Sequence, residues 1–314
     1  MISLVFKTRH RAAAPLVLAL CLAACTSTRA AEDVLGESVG PGPPSPAEND
    51  AESDAGALEA SEVPPSREQL AALAVERLEA SANRSRAVLA AARADDAGPD
   101  ALIEAARTLV LDADLRIQTE LALRFDPADL PSTKKLINAE DSVRSSLKSE
   151  VRGLASASRD LANRALEVRK GDPEARLYAT LGSALVAWSL PRLEALTSGG
   201  AGSLPGAIAA LADDHPDLAS ASPMRLRGRF QSRAPWPYTD RKAGVEALEA
   251  ACRSAPTPLN LLFLGDAYWL IDREPEALDA WERATRARAG EEMRAAAVFQ
   301  REIARLRILS AGGD

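Results

Sequence analysis

The stretch Asn260–Arg286, NLLFLGDAYWLIDREPEALDAWERATR, decides how the rest of the chain is read. Leu264, Gly265, Tyr268, Ala277, Trp281 and Ala284 fall at the offsets by which the two helices of a repeat of about 34 residues interlock. Gly265 and Ala277 are small where the backbones approach, and Tyr268 and Trp281 are bulky where the gap to the neighbouring pair is filled. Pro275 stands at the first position of the second helix, where its missing N–H costs nothing. This is a tetratricopeptide-type helix pair. It sets the expectation of an all-α chain, an α-solenoid of degenerate tetratricopeptide-like hairpins.

The preceding unit starts near Pro223, with Gly228 at the small-residue position and Gly244, Leu248, Ala251 and Pro256 at the second-helix and exit positions. Gly228 and Gly244 are sixteen steps apart where the repeat needs about twelve, and the surplus is the loop Pro235-Trp236-Pro237-Tyr238. Further back, Asp172-Pro173 opens a helix whose Tyr178, Leu181, Gly182 and Leu185 match the first helix of a unit. Its partner is displaced by Ser-Gly-Gly-Ala-Gly at 198–202 and resumes near Leu204, reaching Asp213. The clearest repeats therefore span 172–289, and Glu291 to Leu309 is expected as a terminal helix that shields the last apolar face.

Toward the N-terminus, Ser66 and Gln69 have capping-box spacing, and a helix is expected from there to about Arg93. A second runs from about Pro99 to Arg124 with Leu102, Ala106, Leu109, Ala113, Ile117 and Leu121 on one face, and the two form an antiparallel hairpin. A long helix is expected over roughly 139–169, where Val143, Leu147, Val151, Leu154, Ser158, Leu161, Ala165 and Val168 keep one stripe on a single side. Two readings fit that stripe: an internal helix of the solenoid, or an exposed coiled coil that makes a homo-oligomer.

The first 24 residues, with Lys7, Arg9 and Arg11 before an apolar run, read as a secretory signal too short for a comfortable membrane span. They end Leu22-Ala23-Ala24-Cys25, which looks like a bacterial lipobox, with lipid on Cys25 and cleavage just before it. An ordinary signal with a chance cysteine is the alternative. Acyl chains on Cys25 would anchor the protein to a membrane. Thr26, by resemblance to bacterial lipoprotein sorting, favours the periplasmic face of the outer membrane. Residues 25–65 carry nine acidic residues and one arginine among clustered Pro and Gly, a composition that reads as a disordered tether leading to the helical-repeat domain at 66–314.

The order of parts resembles the T-component of tripartite ATP-independent periplasmic (TRAP) transporters. The resemblance rests on a lipoprotein signal, degenerate helical repeats, the R-L-x-G-R pattern at Arg225–Arg229, the Pro-Trp-Pro loop, A-L-E-A-A within Glu246–Pro256 and N-L-L-F-L at Asn260–Leu264. It is clearest over Asp172–Ala289, and the loop here is shorter than the family's. It implies a non-enzymatic, lipid-anchored accessory in the periplasm that partners a solute-binding subunit and handles a small carboxylate ligand. A general tetratricopeptide scaffold for envelope assembly is the alternative.

Composition narrows the chemistry. The formal charge is −7, and losing Lys7, Arg9 and Arg11 with the leader takes it to −10, so no basic footprint for nucleic acid remains. Past the leader His215 stands alone, which rules out a site built on paired histidines; no metal or cofactor is expected. Cys252 reads as a small core residue. The binding candidates are Trp236 and Tyr238, aromatic anchors between rigid prolines, and the nearby Arg225 and Arg229 for an anionic ligand. Asn260 and Tyr268 complete the set, on the first helix that lines the concave face of such superhelices; Tyr268 is also a consensus packing residue.

Overall fold

A computed structural model describes residues 64–94, 97–191, 200–234 and 237–312. The leader, Cys25, the tether, Pro235 and Trp236 lie outside the described residues. Within the unit Asp54–Asp314 the described residues form helices and no strand: α1 Arg67–Ala92, α2 Pro99–Arg124, α3 Thr133–Ile137, α4 Ser145–Val168, α5 Pro173–Ser189, α6 Gly200–Asp214, α7 Leu218–Arg233, α8 Arg241–Ser254, α9 Pro258–Trp269, α10 Glu274–Arg286 and α11 Ala297–Ala311. The chain is all-α and built of helical hairpins.

Local sequence sets most helix starts. Ser66 and Gln69 cap α1 reciprocally, Ser66 Oγ accepting from Gln69 N at 3.2 Å and Gln69 Oε1 accepting from Ser66 N at 2.8 Å. Asp172, Asp240 and Thr257 accept backbone N–H bonds at the starts of α5, α8 and α9, and proline occupies the first turn of α2, α5, α9 and α10. Helices α1 and α2 run antiparallel as expected, with Arg67 at the start of α1 donating to the carbonyl of Leu123 at the end of α2 at 2.7 Å. Every residue of the expected α2 stripe is buried.

The long helix expected over 139–169 is shorter and preceded by a break. Asn138–Ser142 is a 3-10 turn, Val143 is extended (φ −64°, ψ 157°), and α4 begins at Ser145. Competition for carbonyls is the reason. Arg124 donates to Ala139 O and Ser142 O at 3.1 Å each, and Lys148 Nζ to Asp141 O at 2.9 Å, so side chains take acceptors that a continuous helix would have used. The apolar stripe survives the break from Val143 to Ala165, packed on α2 and α5, so α4 is an internal helix. Only Val168, at its end, is exposed.

The two C-terminal hairpins follow the expected pattern. Between α7 and α8, a Cβ on Gly228 would lie 2.8 Å from Gly244 O, and between α9 and α10 a side chain on Gly265 would run into the Trp281 indole. Trp281 is fully buried and stacks on Trp269 with ring centroids 5.6 Å apart. In α5, by contrast, a Cβ on Gly182 would sit 2.8 Å from the carbonyl oxygen of Ala155 on α4. The close partner of α5 is thus the preceding helix, whereas the sequence pattern pointed to the one after it.

The terminal helix does more than shield the end. A 3-10 turn at Glu291–Met293 precedes α11, which packs on α9 and α10 and also on α2 and α3. Thr133 Oγ1 donates to Ser310 Oγ at 3.1 Å, Ser310 Oγ to Pro131 O at 2.7 Å, and Arg77 of α1 to Ala295 O at 2.6 Å. The last helix of the chain therefore joins the first hairpin to the last.

Candidate functional site

Helix α7 is the element that brings most of the candidate residues together, because Arg225, Arg229 and Arg233 recur every four residues and share one side of it. All three point inward.

The start of α7 is unusual. Ala219, Ser220 and Ala221 all have left-handed backbone angles (φ 47°, 53° and 58°), each costing roughly 1–2 kcal/mol in an L-residue. Surrounding side chains hold the turn. Asn260, fully buried on α9, donates through Nδ2 to Ser220 O at 3.1 Å and to Ala255 O at 2.7 Å, and its own N–H is received by Thr257 Oγ1 at 3.3 Å. Arg225 donates to Asn260 Oδ1 at 2.9 Å and to Ser222 Oγ, and Ser222 Oγ donates to Ala219 O at 2.6 Å. Gly290 completes the enclosure, since a Cβ there would collide with Ser220 Oγ. Arg225 and Asn260, expected to meet a ligand, are instead buried partners of each other and of a strained turn. The sequence pattern could not show this, because the turn they serve is irregular.

Four residues further on, Arg229 Nη2 pairs with Glu140 Oε2 at 2.6 Å and its Nη1 lies 3.6 Å from Asp266 Oδ2, with the guanidinium 4.2 Å from the Phe263 ring centroid. Arg307 Nε of α11 bonds Asp266 Oδ1 at 3.1 Å, and Arg233 Nη1 donates to Ile137 O at 2.7 Å. Burial works against the charge on Glu140, but Arg229 and Arg233 outweigh it and hold the carboxyl below its usual range. Burial likewise opposes the charge on Arg229, and Glu140 and Asp266 outweigh it in turn. Arg229 is therefore a clasp between the 3-10 turn after α3 and helix α9, with Arg307 of the last helix meeting the same Asp266 and only 15% of the Arg229 side chain exposed. It is not offered to solvent as an anion-binding residue.

The remaining candidates lie apart from this seam. Tyr268 donates its hydroxyl to Glu249 Oε1 at 2.7 Å beneath the Arg273 guanidinium, and burial, with that bond second, pushes its hydroxyl up to about 12. It is a packing residue that ties α9 to α8. Tyr238 turns back toward Phe230 on α7, with ring centroids 6.1 Å apart, and stays 38% exposed. Trp236 lies outside the described residues. Cys252 is buried and its thiol is pushed up to about 12 by that burial, consistent with a core role.

Sequence reasoning passed over a polar group on α2. Asp114 and Gln118 lie one turn apart, Gln118 Nε2 donating to Asp114 Oδ1 at 3.4 Å, while Asp114 Oδ2 and Gln118 Oε1 are buried without a hydrogen-bond partner among the described residues. Burial pushes the Asp114 carboxyl up to about 6, against the pull of Gln118 and Arg225. Gln300 on α11 is fully buried with neither amide atom partnered among the described residues. Each such group costs about 1–3 kcal/mol. On a helix otherwise read as an apolar stripe, an Asp and a Gln four residues apart were the available signal.

Among the described residues no three His, Cys, Asp or Glu side chains converge as a metal site, and no helix is long and apolar enough to cross a membrane. Open surface grooves with basic walls occur at two places: beside Arg124, Lys134 and Lys135, and at the loops that follow α8 and α10. No family model matches the chain, and no curated protein matches it.

Proposed function

We propose that this chain is a non-enzymatic, lipid-anchored binding protein facing the periplasm, an accessory similar to the T-component of TRAP transporters that partners a solute-binding subunit. Lipid on Cys25 attaches it to the outer membrane, residues 25–65 act as the tether, and the helical hairpins present the surface. The observation that carries this reading is where the resembling segments fall. The Arg225–Arg229 pattern lies on α7, the Glu246–Pro256 pattern on and just beyond α8 and the Asn260–Leu264 pattern on α9. Together they build the two best-formed hairpins. The inward-facing α7 arginines are spent on structure, so any small carboxylate would have to be met elsewhere than at Arg225 or Arg229.

The test is chemical crosslinking in cells that express the full chain, followed by purification and identification of the partner. Recovery of a periplasmic solute-binding subunit is expected. Recovery of envelope-assembly proteins without one would move the reading to a general scaffold. The anchor is tested separately: Cys25→Ala should leave the protein without lipid and released from membranes, and its persistence in the membrane pellet after salt washing would overturn the anchor.

A further inference from the structure

The turn Ala255-Pro256-Thr257 between α8 and α9 and the segment 286–290 after α10 form the two banks of an open groove of about 430 Å³. Leu261 and Pro256 supply apolar lining, and Arg283, Arg286 and Arg288 line the same groove. Arg253 sits in the last turn of α8, two residues from the first bank. Arg301 of α11 holds the second bank by donating to Ala287 O at 2.9 Å.

The groove lining carries three arginines and no carboxylate in a chain whose formal charge is −7, with Glu291 and Glu292 just past the second bank. Arg283 meets Asp279 at 3.3 Å and Arg286 meets Glu282 at 3.9 Å, both exposed pairs along one helix that are worth little in water. Arg253 and Arg288 are exposed and make no ion pair among the described residues. The start of α9 at Thr257 adds the positive end of a helix dipole at one bank. The ends of α8 and α10 bring negative poles, which Arg253, Arg283 and Arg286 in their last turns counter.

We propose that this groove docks an extended acidic peptide segment of a partner protein. Both banks are extended backbone, at Ala255 (φ −143°, ψ 94°), Ala287 (φ −66°, ψ 145°) and Gly290 (φ −65°, ψ 150°), so the groove is a slot between two loops. A slot of that form suits a single strand of chain. Guanidinium groups bind carboxylates through paired, charge-assisted hydrogen bonds, and the apolar lining accepts small aliphatic side chains between them. An inorganic anion would use the arginines and leave the apolar lining idle.

The proposal rests on the binding-protein reading but not on the identity of the partner. The full chain is titrated into a fluorescein-labelled ten-residue peptide of alternating Asp or Glu and Ala or Leu, followed by fluorescence anisotropy at about 50 mM and about 300 mM salt, where screening differs strongly. Binding that weakens with salt is expected. Arg286→Gln with Arg288→Gln should weaken it roughly tenfold or more and leave the protein folded with at most a small drop in melting temperature, since both side chains are exposed. Unchanged affinity in that variant overturns the proposal, as does equal binding of the matching Asn/Gln peptide. A groove that takes inorganic phosphate or phosphatidylglycerol vesicles but not the peptide is an anion or membrane site, which also overturns it. Failure here with a solute-binding subunit still recovered by crosslinking removes only the groove; the reverse outcome removes only the TRAP-type partner.

Discussion

Helices α5 and α9 carry the same signature and use it in opposite directions. Leu181, Gly182 and Leu185 on α5 occupy the offsets that Leu264, Gly265 and Tyr268 occupy on α9. Gly265 opens room for Trp281 on the following helix, while Gly182 opens room for Ala155 and Arg159 on the preceding one. After α9 the next helix begins at Glu274, within five residues, and folds straight back. After α5 the next helix among the described residues begins at Gly200, and the described backbone that comes close to Gly182 is that of α4. A glycine declares that some backbone comes close. Which backbone it is depends on what the loop delivers.

That contrast breaks most sharply at Gly265. Gly265→Leu should cost roughly 3 kcal/mol or more, at the upper end of overpacking, and lower the melting temperature by about 6–12 °C in a domain of this size. A melt identical to the unaltered protein would mean that Trp281 is free to yield.

The same hairpin holds the left-handed turn at the start of α7. Asn260→Ala removes both amide bonds to Ser220 and Ala255 and takes the Oδ1 acceptor away from Arg225. A loss of about 2–3 kcal/mol is expected, measured by urea denaturation; a loss below about 0.5 kcal/mol, the ordinary surface value, would show that the turn does not depend on it.

Next in size comes the N-terminal side, where α2 carries a buried acid. Because the Asp114 carboxyl is raised from 3.8 to about 6, the folded protein binds its proton more tightly than the unfolded chain. The stability this group contributes is therefore full below about 3.8 and is lost as pH rises through about 6. Asp114→Asn should raise stability by about 2 kcal/mol near pH 7.5, with the gain shrinking as the pH falls to about 5. Equal gains at both pH values would show that the carboxyl is not the cause.

The smallest effect tests the direction of α5. Gly182→Ala puts a methyl against the Ala155 carbonyl and should cost about 1 kcal/mol. A neutral result would mean that α4 gives way and that the close approach to Ala155 is not fixed.

Much of this architecture was legible along the chain. The caps at Ser66 and Asp172, the α2 stripe and the close approaches at Gly228, Gly244 and Gly265 are all local or one helix away, where periodicity and side-chain size carry the information; that Trp281 fills the space at Gly265 was not legible there. The candidate site was legible in its residue types but not in their duties. Arg225 and Arg229 look like any basic pair on a helix, and only their placement shows that the donors of Arg225 are taken by Asn260 and Ser222 and that Arg229 is paired with Glu140. The groove arginines 283, 286 and 288 stood in plain sight as a basic run in an acidic protein, without sign of the Pro256 bank that makes them a groove.

The sequence by itself determined that the chain folds into paired helices, where most of them begin, and which glycines mark close contact. These depend on backbone hydrogen bonds, capping and side-chain bulk within a few residues of each other. Tertiary structure alone decided that α11 returns to α2 and α3, that α5 packs backward, and that the arginines of α7 turn inward. Those outcomes depend on contacts between residues far apart, such as Thr133 with Ser310 and Arg229 with Glu140. No local pattern encodes them, because each side chain keeps the same intrinsic preferences whichever partner the folded chain brings to it.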